Sequence, residues 1–307
     1  MATSTSITTT YAGEAARGFI SAALLSSPTI FGGGVTVHPN VKYRKIIRKL
    51  ETDGLLKDAS CDFNATSTLT QTERVLEPKR LQVNLQLCKE DFYDDWQAES
   101  MGYTAHDQLP PDFASYLVSH AVAKVAEEME QNVWSGASTT SGAFDGFETL
   151  LAANAAQPTA KEIAGTTLTA ANIIAQTTLA YAQVGAEVWG KEDLYIYMGT
   201  AALKFYISAQ AALGYLDRFH VGETAYDFQG IPVMHCPGMS ANTMVVCRKS
   251  DLHFGTGVLA DYNEVKVLDM ADLDGSQNVR VIMRASAGAV LGNGEDIVTY
   301  GITNASN

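Results

Sequence analysis

From Ser67 to Lys89 the chain reads STLTQTERVLEPKRLQVNLQLCK. Leu81, Val83, Leu85 and Leu87 alternate with Gln82, Asn84 and Gln86, the two-residue period of a strand with one apolar face. Val35–Val41, VTVHPNV, alternates in the same way. Between them lies LETDGLLKDASCDFNA. The pattern predicts an extended two-stranded β-ribbon within residues 35–90. Such a ribbon is marginal by itself in water and needs another surface to lie on.

The period changes after residue 90. LPPDFASYLVSHAVAKVAEEMEQNVW, Leu109–Trp134, has Val118, Val122, Val125, Met129 and Val133 at helical spacing, with Glu127, Glu128, Glu130 and Gln131 on the polar side. Pro111 and Asp112 suit a first turn. A helix of twenty-odd residues, roughly 35 Å long, is expected. Residues 151–260 then alternate helical and strand patterns, including TAANIIAQTTLAYAQV, DLYIYMG, TAALKFYISAQAAL, IPVMHC and TMVVCR, which is an α/β layout. Residues 261–302 return to strands, NEVKVLDM and NVRVIMRAS about a turn at Asp274-Gly275, then DIVTYGI. At the other end, residues 1–34 are Thr/Ser-rich, with a short helical stretch at Gly18–Leu25 and a triple glycine, Gly32–Gly34, that reads as a hinge. This is an arm rather than a domain.

Charge divides the chain. The net charge is −13, but residues 1–89 carry 11 Lys/Arg against 7 Asp/Glu (+4) and residues 90–307 carry 10 against 27 (−17). Five cations, Lys42, Arg44, Lys45, Arg48 and Lys49, fall within eight positions of the ribbon, and only Glu51 and Asp53 follow close by. The expected role of this cluster is contact with acidic surface on another subunit. Specific nucleic-acid binding is disfavoured, because most of the chain repels phosphate. No apolar run reaches the ~18 residues of a membrane helix.

Candidate chemistry is thin. Four cysteines, Cys61, Cys88, Cys236 and Cys247, make no disulfide framework for a chain of 307 residues. His235, Cys236 and Cys247 could supply metal ligands, but adjacent residues of a strand point to opposite faces and the close pairing of a zinc site is missing. The cysteines read as small core hydrophobes. GAEVWGKE, Gly185–Glu192, approaches a phosphate-binding loop but ends on Glu192 and lies between a helix and a strand, the reverse of the required order. MADLDG, Met270–Gly275, resembles part of a calcium loop with Met270 in the first ligand position. Asp94/Asp95 could serve acid–base chemistry only with a partner that sequence does not reveal. No catalytic residues, cofactor or metal are expected.

The order of arm, ribbon, long helix, α/β segment and β-return is distinctive. YDFQGIPVMHCPGM, VCRKSDLHFGTG and LADYNEVKVLDMADLDGSQNVRVIMRASAGA resemble the C-terminal half of tailed-bacteriophage major capsid proteins, and FDGFETLL, Phe144–Leu151, resembles the segment after their long helix. The resemblance implies an α+β fold of the Hong Kong 97 type. It implies an N-terminal arm over 1–40, an extended loop over 41–90, and a peripheral domain with a spine helix over 91–150. An axial domain over 151–270 and a β-return to the peripheral domain over 271–307 complete it. It also implies a structural function: self-assembly through pentamers and hexamers into the icosahedral head of a tailed phage, assembled in the host cytoplasm. The implied partners are further copies of the chain, a portal, scaffold or decoration proteins, and double-stranded DNA held non-specifically, without a membrane. Residues 1–40 are shorter than the cleaved scaffolding segment of some members, so a separate scaffold or none is expected. The alternatives are an encapsulin-like compartment shell in the same fold, and an α/β enzyme with a site near residues 228–257.

Overall fold

The computed structural model of the 307-residue chain describes residues 10–11, 28–41, 43–59, 61, 65–88, 111–212, 226–257 and 265–305. The expected helix at Gly18–Leu25, the Asp94/Asp95 pair and Lys42 lie outside the described residues. The strands in chain order are β1 (Thr10–Tyr11), β2 (Thr36–His38), β3 (Lys45–Asp53), β4 (Thr68–Leu76), β5 (Lys79–Cys88), β6 (Glu162–Ile163) and β7 (Leu194–Met198). They continue as β8 (Tyr226–Phe228), β9 (Ile231–His235), β10 (Met244–Arg248), β11 (Leu252–Thr256), β12 (Val265–Asp269), β13 (Asn278–Leu291) and β14 (Val298–Tyr300).

One six-stranded sheet runs β1-β12-β13-β11-β2, and β5 also pairs with β13. Fourteen residues make β13 long enough for this, about 46 Å at ~3.3 Å per residue. Asn278–Ala287 pairs with β5 on one side; on the other, Val279–Met283 pairs with β12 and Ala287–Leu291 with β11. The period-two rule then divides its side chains. Val279, Val281, Met283, Ala287 and Leu291 enter the main core with Val118, Met129, Val133 and Trp134 of the helix Pro111–Ser135. Val290 faces the other way.

That helix has 25 residues and the predicted stripe faces the sheet. Val118 and Val133 are fully buried and Met129 nearly so, while Val122 and Val125 are partly buried against the same core. Glu127, Glu128 and Gln131 are exposed as expected. Glu130 is not: it is 4% exposed. Its carboxylate accepts hydrogen bonds from the backbone N–H of Thr29 (3.2 Å) and from the Thr29 hydroxyl, which also accepts from Trp134 Nε1 at 2.9 Å. The helical period placed Glu130 beside the wet face; a segment a hundred residues earlier covers it.

The same segment overturns the hinge. Pro28–Phe31 forms a short helix, and Gly33 has φ +72°, a left-handed conformation that suits glycine. A Cβ on Gly34 would collide with Met234 Sδ and lie 3.3 Å from the Tyr197 ring. Tyr197 Oη donates to the Gly34 carbonyl at 2.6 Å. The glycines permit tight packing of the segment into the core, the opposite of a free joint.

The second sheet runs β6-β14-β10-β7-β9-β8, with the α/β character the pattern predicts. Helices Ile173–Ala182 and Thr200–Ala212 cover one face. Ile196, Met198, Met244, Val246, Val298 and Tyr300 pack beneath them. Tyr197, Val245 and Cys247, pointing the other way, join the main core. Burial on both faces explains why β10 reads as an unbroken apolar run.

Sheet membership is not contiguous along the chain. The alternation from Thr68 to Cys88 is not one arm of the ribbon: it breaks at Glu77-Pro78, and β4 pairs with β3 while β5 joins β13 in the first sheet. Proline supplies no N–H to continue the ladder. Strands β11 and β12, placed by sequence in the 151–270 unit, also belong to the first sheet. Conversely β14, placed in the return segment 271–307, pairs with β10 and β6 in the second. The Asp274-Gly275 turn does join β12 to β13, through the short helix Ala271–Asp274 closed by Gly275 at φ +74°.

Candidate assembly interface

Strands β3 and β4 form a two-stranded sheet of their own, nine residues each, about 30 Å long. The register opposes Ile46 to Val75, Arg48 to Glu73, Leu50 to Gln71 and Thr52 to Leu69. Alternation puts these eight on one face, and Lys45, Ile47, Lys49, Glu51 and Asp53 with Leu76, Arg74, Thr72, Thr70 and Thr68 on the other.

The two faces differ. On the second, Leu76 is fully buried, and Ile47 packs with it against Val41 and Val290 on the side of the first sheet away from the long helix. Gly255 makes room, since a Cβ there would be 2.7 Å from Leu76 Cδ2. This is the root of the ribbon. The first face lacks such cover: Ile46 is 49%, Leu50 62%, Leu69 67% and Val75 49% exposed. Leu55 and Leu56, in the turn segment, are 69% and 97% exposed. A row of large apolar side chains along one face of a projecting ribbon is the mark of an unfilled interface.

The cationic cluster meets a different environment from the one expected. Lys42 lies outside the described residues. Arg44 pairs with Glu77 at 2.9 Å, Arg48 with Glu73 at 3.0 Å, and Lys49 with Glu51 and with Glu295 at 2.9 Å. Lys45 Nζ donates to His38 Nδ1 at 2.8 Å. The premise that the ribbon lacks matching acids is therefore corrected. Glu73 and Glu77 follow the cluster by two dozen residues in sequence and face it once β4 folds back on β3. Sequence reasoning missed the apolar row for the same reason. Ile46 and Leu50 share a face by period two, but Leu69 and Val75 join them only through the register.

The cysteines and His235 of the stretch 228–257 lie in packed surroundings. Cys236 and Cys247 are fully buried, and burial pushes both thiols well above the usual range. His235 Nε2 bonds the Thr200 hydroxyl at 2.9 Å, and burial lowers its pKa. Among the described residues no group of three His, Cys, Asp or Glu side chains is placed to hold a metal. The near-match at Gly185–Glu192 is a loop between helix Ile173–Ala182 and β7. Among the described residues no helix is long and apolar enough to cross a membrane.

No family model and no curated protein matches the chain. Solved structures do. The capsid of the native GTA particle matches at 13% identity over 92% of this chain and 90% of that one, with a TM-score of 0.62. The capsid structure of the cyanophage P-SCSP1u matches at 13% identity over 90% and 88%, with a TM-score of 0.55. A virus-like particle from Pyrococcus furiosus matches at 9% identity over 94% and 98%, with a TM-score of 0.53. The chain thus has the mixed helix-and-sheet fold of these shell-forming proteins along nearly its whole length.

Proposed function

We propose that this chain is the major capsid protein of a tailed phage, assembling through copies of itself into an icosahedral head around double-stranded DNA. The observation that carries the reading is the ribbon: its root is bonded into its own subunit while its outer face leaves Ile46, Leu50, Leu69 and Val75 without cover. An interface repeated in every subunit suits a closed symmetric assembly. The fold shared with phage capsids supports the same conclusion.

In this reading the helix Pro111–Ser135 is the spine of a peripheral domain centred on the first sheet. The second sheet with its two helices is the axial domain. The cluster Lys42, Arg44, Lys45, Arg48 and Lys49 flanks the inter-subunit contact, with Arg48–Glu73 on the docking face itself. A portal and any scaffold or decoration protein are further partners, DNA is met non-specifically, and assembly takes place in the host cytoplasm.

Electron microscopy of the purified protein under assembly conditions tests the proposal, and closed shells are expected. A strictly monomeric species across salt, pH and crowding conditions would overturn it. Shells that carry protein cargo and exclude DNA when recovered from the producing cell would move the reading to a cellular compartment.

A further inference from the structure

Three side chains from three strands meet where the ribbon leaves the body. Lys45 opens β3, His38 closes β2, and His253 lies in β11 beside it. Lys45 Nζ is 2.8 Å from His38 Nδ1, and His38 Nε2 is 3.0 Å from His253 Nδ1. The rings stack at a centroid distance of 5.0 Å and an interplanar angle of 29°. A lysine ammonium can only donate, so Nδ1 of His38 accepts. Its proton is then on Nε2, which donates to Nδ1 of His253. The chain of donors closes only while both imidazoles are neutral.

We propose that the Lys45–His38–His253 chain is an acid-released latch, which holds the ribbon root against its own subunit and frees it on protonation. A proton on His38 Nδ1 removes the acceptor that Lys45 uses and sets two cations face to face. A proton on His253 Nδ1 turns the other contact from N–H···N into two opposed N–H groups. The first event breaks the Lys45–His38 bond between ribbon and body; the second breaks the His38–His253 bond that orients His38 within the first sheet.

The surroundings offer the imidazolium no relief. Just after β13 comes Gly292, where a Cβ would lie 2.7 Å from His253 Nε2. From β4 comes Leu76, fully buried. The Thr36 hydroxyl, on the same face of the β2–β11 pair as both histidines, donates to the carbonyl of Lys249 at 3.1 Å. The next charged groups along the ribbon face are Lys49, Glu51 and Glu295, already paired with one another. Burial, then the neighbouring His38 and Lys45, pushes His253 down to about 4; burial, then Lys45, lowers His38. Both shifts favour the neutral, bonded form at neutral pH.

The device matters for assembly because, on the reading above, the ribbon is the element that meets a neighbour. Its test does not depend on assembly. Cys61 is exposed in the segment joining β3 to β4, and Cys236 and Cys247 are buried, so Cys88→Ser leaves Cys61 as the described thiol open to a nitroxide label. A second label at exposed Ser208→Cys on the body gives a ribbon-to-body distance by pulsed electron paramagnetic resonance on the unassembled full chain. A narrow distribution at pH 7.5 should broaden or shift at pH 3.5, with unchanged far-ultraviolet circular dichroism. In His38→Gln/His253→Gln, where the amides bond without titrating, the pH 7.5 distribution should persist at pH 3.5. Lys45→Met should be broad already at pH 7.5. An unchanged wild-type distribution, an equal response in the glutamine variant, or a narrow distribution in Lys45→Met at pH 7.5 overturns the latch. None of these outcomes bears on whether shells form.

Discussion

Leu50→Asp combined with Leu69→Asp places two carboxylates on the outer face of the ribbon. Leu50 is 62% and Leu69 67% exposed in the single subunit, so neither substitution removes much core packing. Residues in open strands with no buried partner change stability by ~0.5 kcal/mol or less. The monomer should therefore fold as wild type. Docking is different. Fully burying a leucine side chain contributes about 1.5–3 kcal/mol. With nearly two thirds still exposed, each leucine retains about 1–2 kcal/mol for an interface. The pair thus withholds about 2–4 kcal/mol per ribbon, before the cost of desolvating two carboxylates. At 1.4 kcal/mol per tenfold, one contact weakens at least thirtyfold or so, and every subunit of a shell repeats it. Circular dichroism and thermal unfolding report the fold; sedimentation velocity and negative-stain microscopy report particles. Thr70→Asp/Thr72→Asp, on the opposite face, is the control for added charge. Wild-type particle yield from the leucine variant, at matched protein concentration, would refute the argument that this face docks.

Val133→Asp puts a charge at a fully buried position of the long helix and should abolish soluble folded protein, whereas Val125→Asp, only partly buried, should cost less; urea unfolding ranks the two. Cys236→Ala/Cys247→Ala should fold and assemble with a loss of a few kcal/mol at most, and in the native protein both thiols should resist a thiol reagent that modifies them after denaturation. Gly34→Ala forces a methyl against Met234 and Tyr197 and should lower stability by ~1–3 kcal/mol; equal or greater stability would restore the hinge. For the histidine pair the native pKa values lie below the unfolded value near 6.5, so the unfolded chain binds more protons in that window. The contribution is fully present above about pH 6.5 and is lost as pH falls toward about 4; His38→Gln/His253→Gln should flatten that part of the curve in denaturant titrations.

Local periodicity carried a good part of the fold. The long helix and its apolar stripe, the strands Thr36–His38, Thr68–Leu76, Lys79–Cys88, Val265–Asp269 and Asn278–Leu291, and the helix–strand alternation from 173 to 248 follow from side chains a few positions apart. Those signals are legible because a helix or strand repeats every few residues, and one face meets water while the other does not.

What sequence could not supply was every relation between distant segments. Glu130 looked solvated until Thr29 and Trp134 closed over it. The glycine run looked loose until Met234 and Tyr197 packed on it. The cations looked unmatched until β4 brought Glu73 and Glu77 alongside, and His38 met His253 only when β2 lay against β11. The sequence by itself determined which stretches are helix or strand and which of their faces are apolar, because those are local energies. The tertiary structure decided which sheet each strand joined, which charges were paired and which apolar row stayed uncovered, because pairing register and burial depend on contacts between residues many positions apart.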